Sequence, residues 1–154
     1  MIGAIIGDIA GSRFEWNNYK SKKIKLFHKR CKPTDDSIMS LAIAKAILES
    51  SEDFADLSVK AVSCMQELGR LYKNAGYGGN FYRWIFADDP QPYDSFGNGS
   101  AMRVDPCGYA ARSLEDAKGL SAKVTMVTHN HPEVILITIG TAMEILIFWI
   151  TCLI

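Results

Sequence analysis

Thr34-Asp35-Asp36, directly after Pro33, sets one hydroxyl and two carboxylates on three consecutive residues. Hard oxygen donors of this kind suit Mg²⁺ or Mn²⁺, and a loop–helix junction can splay adjacent side chains around one point. The same triplet also reads as a helix start, with Thr34 as N-cap and Asp35, Asp36 and Ser37 against the positive end of the helix dipole. Two further acids precede it, Asp8 and Glu15. Their spacing is two helical turns, so they share a face if one helix runs through both. A carboxylate beside a metal-bound water could orient or deprotonate that water. Glu15 equally suits a plain surface position.

Two glycine segments could approach a ligand closely. Ser95-Phe96-Gly97-Asn98-Gly99-Ser100-Ala101-Met102-Arg103 ends at an expected helix start, where backbone N–H groups can bind phosphate. No Lys-Ser/Thr follows its second glycine, so it is not a Walker loop, and it also reads as an Asn-Gly turn capped by Ser100. Gly78-Gly79 is the second segment. His129 and His131 stand two apart, a spacing that faces helical side chains away from each other and disfavours joint zinc ligation. A substrate hydrogen bond or a helix-end role fits them better. There is no Gly-x-Ser-x-Gly elbow and no Cys-x-x-Cys pair among the four cysteines. Reduced thiols, and an N-terminus without a basic n-region, point to a cytoplasmic protein.

The elements that must position these residues are helical. Ile2, Ile5, Ile6 and Ile9 recur at helical spacing over residues 2–15, while Gly3, Gly7 and Gly11 leave one face bare for a close neighbour or a ligand. Residues 16–33 read as a long polar, basic loop, with room for a short strand. The basic clusters in it read as a solvated face, or as steering for an anionic substrate. Residues 35–50 carry apolar side chains around more than one stripe, which predicts a central helix. A second strong helix is predicted over 56–74, ended by Gly76, and a short aromatic one follows Gly78-Gly79. A helix from Ala101 is expected to break or kink at Pro106 and Gly108. Ser113 opens another, in a capping box with Asp116 in place of Glu, and Pro132 interrupts it. With 154 residues, 48% of them apolar, and 17 basic residues balancing 17 acidic ones, one globular domain is expected, without a general pull toward nucleic acid or anionic membranes.

Four pieces taken in order carry a resemblance. They are Gly3 to Glu15 (GAIIGDIAGSRFE), Thr34-Asp35-Asp36-Ser37, Gly97 to Arg103 (GNGSAMR) and Thr128-His129-Asn130-His131-Pro132. Together they resemble the ADP-ribosylglycohydrolase family. The resemblance implies an all-α orthogonal helical domain with a binuclear Mg²⁺ or Mn²⁺ centre in a cleft. It implies hydrolysis of the glycosidic bond between ADP-ribose and a protein side chain or small acceptor. By position, Thr34, Asp35 and Asp36 match the first metal-ligand cluster, and Glu15 matches a catalytic glutamate. Gly97, Asn98, Gly99, Ser100 and His129 match segments that approach the ADP-ribose; Gly78 and Gly79 are added as a loop of the same kind. The metals would hold ribose hydroxyls and a water at an anomeric carbon with oxocarbenium character in the transition state.

The family's second metal cluster, Asp-x-Asp-Thr/Ser, has no counterpart here. The expected organisation is therefore an incomplete helical domain over 1–133, with impaired turnover, followed by a divergent apolar segment over 134–154. That segment is long enough to span a bilayer, but an inner helix of a larger helical domain looks the same, and an uncovered one favours self-association. Two rival readings remain. One is a non-catalytic ADP-ribose-binding or regulatory module. The other is a membrane-anchored interaction protein.

Overall fold

The structure, a computed structural model, describes residues 1–15 and 19–152; residues 16–18 of the expected loop and the last two of the apolar segment lie outside it. The helices in chain order are α1 (Ile2–Gly11), α2 (Asp35–Glu49), α3 (Leu57–Leu71), α4 (Gly79–Phe86), a 3₁₀ turn (Ala101–Arg103), α5 (Asp105–Ala110), α6 (Leu114–Thr125) and α7 (Pro132–Cys152). No strand occurs among the described residues. The all-α reading holds, and the short strand considered for the 16–33 loop is absent from its described part.

α2 is central because it is buried on several sides. Ser37, Ile38, Met39, Ser40, Ala42, Ile43 and Ala46 are all inaccessible. The small ones among them, Ser37, Ser40, Ala42 and Ala46, let neighbours come close to its backbone, and α1, α3, α5 and the 3₁₀ turn pack around it. α3 buries one stripe, Leu57, Ala61, Cys64, Met65 and Gly69. At Gly69 an added Cβ would stand 2.8 Å from the Ile85 side chain, so glycine there lets α4 dock. Gln66 Nε2 donates to the carbonyls of Trp84 and Ala87 at 3.2 and 2.9 Å, and Arg70 Nε donates to that of Ile85 at 2.9 Å. These bonds satisfy the C-terminal carbonyls of α4 and hold its N-terminal Gly78-Gly79 in place.

Local signals decide the start of α6. Ser113 Oγ accepts from the Asp116 N–H at 3.1 Å. The Asp116 carboxylate in turn accepts from the Arg112 N–H at 3.1 Å, one residue earlier than a standard capping box. After Thr125 the chain turns through His129 to His131, and Pro132 opens α7. α7 buries Val134, Thr138, Ala142 and Leu146, one residue in four, against α5 and α6. Gly108 permits this contact, since a Cβ there would lie 2.7 Å from the Ala142 carbonyl. A helix that supplies Ala142 and Leu146 to the core is built into the fold. Its other face, including Leu136, Ile137, Ile147 and Phe148, is exposed. By length and composition α7 could also cross a membrane.

Three expectations about helices are corrected. α1 ends at Gly11, and residues 12–15 form turns, so Asp8 and Glu15 do not share a helix face. Among the described residues, no other atom lies within 4 Å of a Cβ added at Gly3, Gly7 or Gly11, and no neighbouring helix packs on that face. The segment from Ala101 is a single 3₁₀ turn, and α5 begins only at Asp105, with Pro106 in its first turn rather than breaking a longer helix.

Candidate active site

The start of α2 is organised from α1. Thr34 holds the N-cap position, yet its side chain caps nothing in its own helix. Instead the Asp8 carboxylate accepts from the Thr34 N–H at 2.9 Å, the Thr34 hydroxyl at 2.5 Å, the Ser37 N–H at 3.3 Å and the Ser37 hydroxyl. A carboxylate from a different helix thus does the capping in place of the usual local Ser/Thr side chain, and it brings a full negative charge to the helix N-terminus. Thr34 is buried, and its hydroxyl proton is committed to Asp8.

Asp35 and Asp36 stay half-buried and line adjoining recesses. Asp35 lines a cleft of about 420 Å³. Asp36 lines an adjoining one of about 330 Å³ together with Asp8, and Asn98 and Met102 border both. Burial first, then the charge of Asp36, pushes the Asp35 carboxyl up to about 6, with Glu15 and Asp8 adding to the effect. Asp36 is likewise raised, by burial and then by Asp8 and Glu15. Four acids therefore share one field, and among the described residues no ion pair neutralises any of them. Glu15 itself is exposed.

The donor chemistry fits a hard divalent cation: oxygens only, with excess negative charge. The number of donors does not close a shell. Among the described residues, no three Asp, Glu, His or Cys side chains converge as a metal site. Thr34, Asp35 and Asp36 can supply part of one.

The larger cleft gathers distant segments. Gly78 and Gly79 form one wall at the start of α4, and Gly97, Asn98 and Gly99 form another. An added Cβ at Gly78 or Gly79 would meet nothing within 4 Å, so this backbone is open to a ligand. His129 lies beneath the second wall, buried, with Nε2 3.9 and 3.7 Å from the Cβ positions of Gly97 and Gly99. Burial, then the nearby Arg103 charge, lowers its ring to about 4, so it is neutral at pH 7. His131 stands apart, against the Phe96 ring. Ser100 departs from expectation. It is fully buried and bonds Thr138 of α7 at 3.0 Å, so it anchors the loop rather than facing the cleft. The single 3₁₀ turn behind it also lacks the aligned dipole expected of a phosphate-binding helix start.

Arg103, at the floor of the cleft, is the residue that sequence alone does not single out. Its side chain is buried, and Nη2 donates to the Val124 carbonyl at 2.8 Å and to the Thr128 hydroxyl at 2.6 Å. Nε has no partner. Burial lowers this guanidinium to about 10, which leaves it charged at pH 7. Tyr93 and Phe81 also line the cleft. The only signal for Arg103 is its place six residues after Gly97; nothing in its type foretells burial.

The fold and this cleft define an all-α protein in which an acidic helix start and a buried cation line one recess. The ADP-ribosylglycohydrolase family model matches residues 1–147, and the chain belongs to that family. The match runs through Glu133 and along α7 to Ile147, well into the segment that the sequence pattern sets apart. No protein of curated function matches the chain.

Proposed function

We propose that the chain binds ADP-ribose conjugates in the larger cleft and hydrolyses their glycosidic bond with the help of Mg²⁺ or Mn²⁺. One observation carries the reading: Asp35, Gly78-Gly79, Gly97 to Gly99, Arg103 and His129, from separate parts of the chain, line a single recess. ADP-ribose has a dianionic diphosphate and a hydroxyl-rich ribose. The open glycine backbones and the unpartnered Arg103 Nε suit the first. The acids at the start of α2 suit a cation that grips the second.

When bound, a divalent ion would polarise the ribose oxygens and lower the pKa of a water. The chain's own part is to hold that ion through Thr34, Asp35 and Asp36. The carboxylate of Glu15, exposed beside the cluster, would orient a water toward the anomeric carbon and take its proton. The acceptor leaves with the bonding pair and gains a proton, so water adds across the bond. Because the shell is partial, turnover is expected to be slow.

That partial shell also favours a second reading, a module that binds ADP-ribose without cleaving it. Calorimetry with ADP-ribose, with and without Mg²⁺, separates the two. Hydrolysis predicts metal-enhanced binding that Asp35→Ala and Asp36→Ala abolish, together with metal-dependent release of ADP-ribose from a conjugate. The binding module predicts unchanged, metal-independent affinity in both variants. No binding under either condition would overturn both.

A further inference from the structure

The Thr128 hydroxyl joins Arg103 to His129. Its Oγ1 stands 2.6 Å from Arg103 Nη2 and 2.7 Å from His129 Nδ1, and all three residues are buried. We infer that Arg103 and Thr128 are positioning residues that hold His129 as its Nε2–H tautomer, with that proton directed at the glycine loop 97–99. The inference goes beyond the proposed function, since the tautomer does not depend on which ligand the cleft takes.

The argument is a count of protons. A guanidinium can only donate, so Oγ1 accepts from Nη2. The hydroxyl then has one proton and two possible acceptors: His129 Nδ1 at 2.7 Å and the Thr125 carbonyl at 3.4 Å. The second distance is at the outer limit of a hydrogen bond. The proton therefore goes to Nδ1, which makes Nδ1 an acceptor. A neutral imidazole with Nδ1 bare carries its hydrogen on Nε2. The reverse arrangement would have Oγ1 accept twice and spend its own proton on the long contact.

Geometry on the far side of the ring agrees. Nε2 is the ring atom nearest the Cβ position of Gly97, and it and Cε1 are nearest that of Gly99. The loop backbone is thus the group an Nε2–H would meet. The low ring pKa, set by burial and then by Arg103, keeps a second proton off. The segment is braced from its other side, where the Tyr93 N–H donates to the Thr128 carbonyl at 3.2 Å. Arg103 thereby acts on the glycine-loop wall through a hydroxyl and an imidazole, besides lining the cleft itself.

The test is ring ¹⁵N NMR on the full chain at pH 7, comparing wild type with Thr128→Ser and Thr128→Val. Wild type and Thr128→Ser should show a single neutral tautomer protonated at Nε2. Thr128→Val keeps the shape but removes the hydroxyl, and should move His129 to a mixture of tautomers. Amide exchange at Gly97, Asn98 and Gly99 should quicken about fivefold in Thr128→Val only, the equivalent of one lost hydrogen bond. Unchanged far-UV circular dichroism would confirm that the valine variant is folded. If it unfolds, the wild-type and serine spectra still decide. An Nδ1–H tautomer in wild type, or a Thr128→Val spectrum indistinguishable from wild type, would overturn the inference.

Discussion

Asp8 and Asp35 are both acids at the N-terminus of α2, and they should act on stability in opposite directions. Asp8 accepts four hydrogen bonds, two from backbone N–H groups and two from the buried hydroxyls of Thr34 and Ser37. In Asp8→Ala the hydroxyls can turn to other acceptors, but the two N–H groups lose theirs. Hydrogen bonds to a charged group are worth about 1.5–3 kcal/mol each, and they are not additive. Loss of the helix-end charge costs about 0.5–1 kcal/mol more. Against this, removing one negative charge relieves Asp35 and Asp36 by about 1 kcal/mol across a partly exposed cluster. The net expectation is a destabilisation of about 3 kcal/mol, or roughly 6–12 °C in melting temperature for a chain of this size. Asp35→Asn removes a half-buried charge that accepts no side-chain bond, so the metal-free protein should gain up to about 1 kcal/mol. Urea unfolding followed by circular dichroism, in the presence of a chelator, measures both. A cost below about 1 kcal/mol for Asp8→Ala, or equal costs for the two variants, would refute the assignment of Asp8 as the cap.

The raised Asp35 carboxyl makes metal-free stability depend on pH. Its folded value, about 6, lies above its ordinary 3.8, so the folded state holds the proton more tightly. That contribution is complete below 3.8 and is lost as pH rises through about 6; a drop of about 1 kcal/mol after solvent screening should appear in urea titrations, and should vanish in Asp35→Asn. Glycine substitutions should split by environment. Gly108→Ala drives a Cβ into the Ala142 carbonyl and should cost about 1–3 kcal/mol, whereas Gly7→Ala meets open space and should gain about 0.5–1 kcal/mol in chemical denaturation. Leu136→Lys with Phe148→Ser, on the exposed face of α7, should reduce self-association in sedimentation while leaving helix content unchanged. Extraction of the wild-type chain only by detergent would instead support a membrane role for that face.

Much of the helical frame is legible in the sequence because its causes are local. The apolar residues of α2 surround the helix, so its central position follows from composition alone. Ser113 and Asp116 lie within one turn of each other, and Pro132 suits a first helical turn, so the starts of α6 and α7 can be read directly, whereas the end of α6 at Thr125 carries no such signal. The glycines at 97 and 99 and the acids at 35 and 36 mark a candidate site by type and order. Their convergence depends on contacts between remote residues. Asp8 reads as a free acid until α1 is laid across the start of α2, where it becomes the cap. Ser100 reads as a ligand contact until α7 offers Thr138, and the fully buried Ser100 then turns inward. Arg103 is marked locally only by its place at the end of the GNGSAMR segment. Its burial beneath the cleft, bonded to Val124 and Thr128, exists only when the last turn of α6 and the segment after it meet the Arg103 side chain. Local periodicity and capping depend on residues a few positions apart and survive in a one-dimensional reading. Which polar group is left facing the cleft depends on desolvation and pairing across the fold, and only the packed structure decides it.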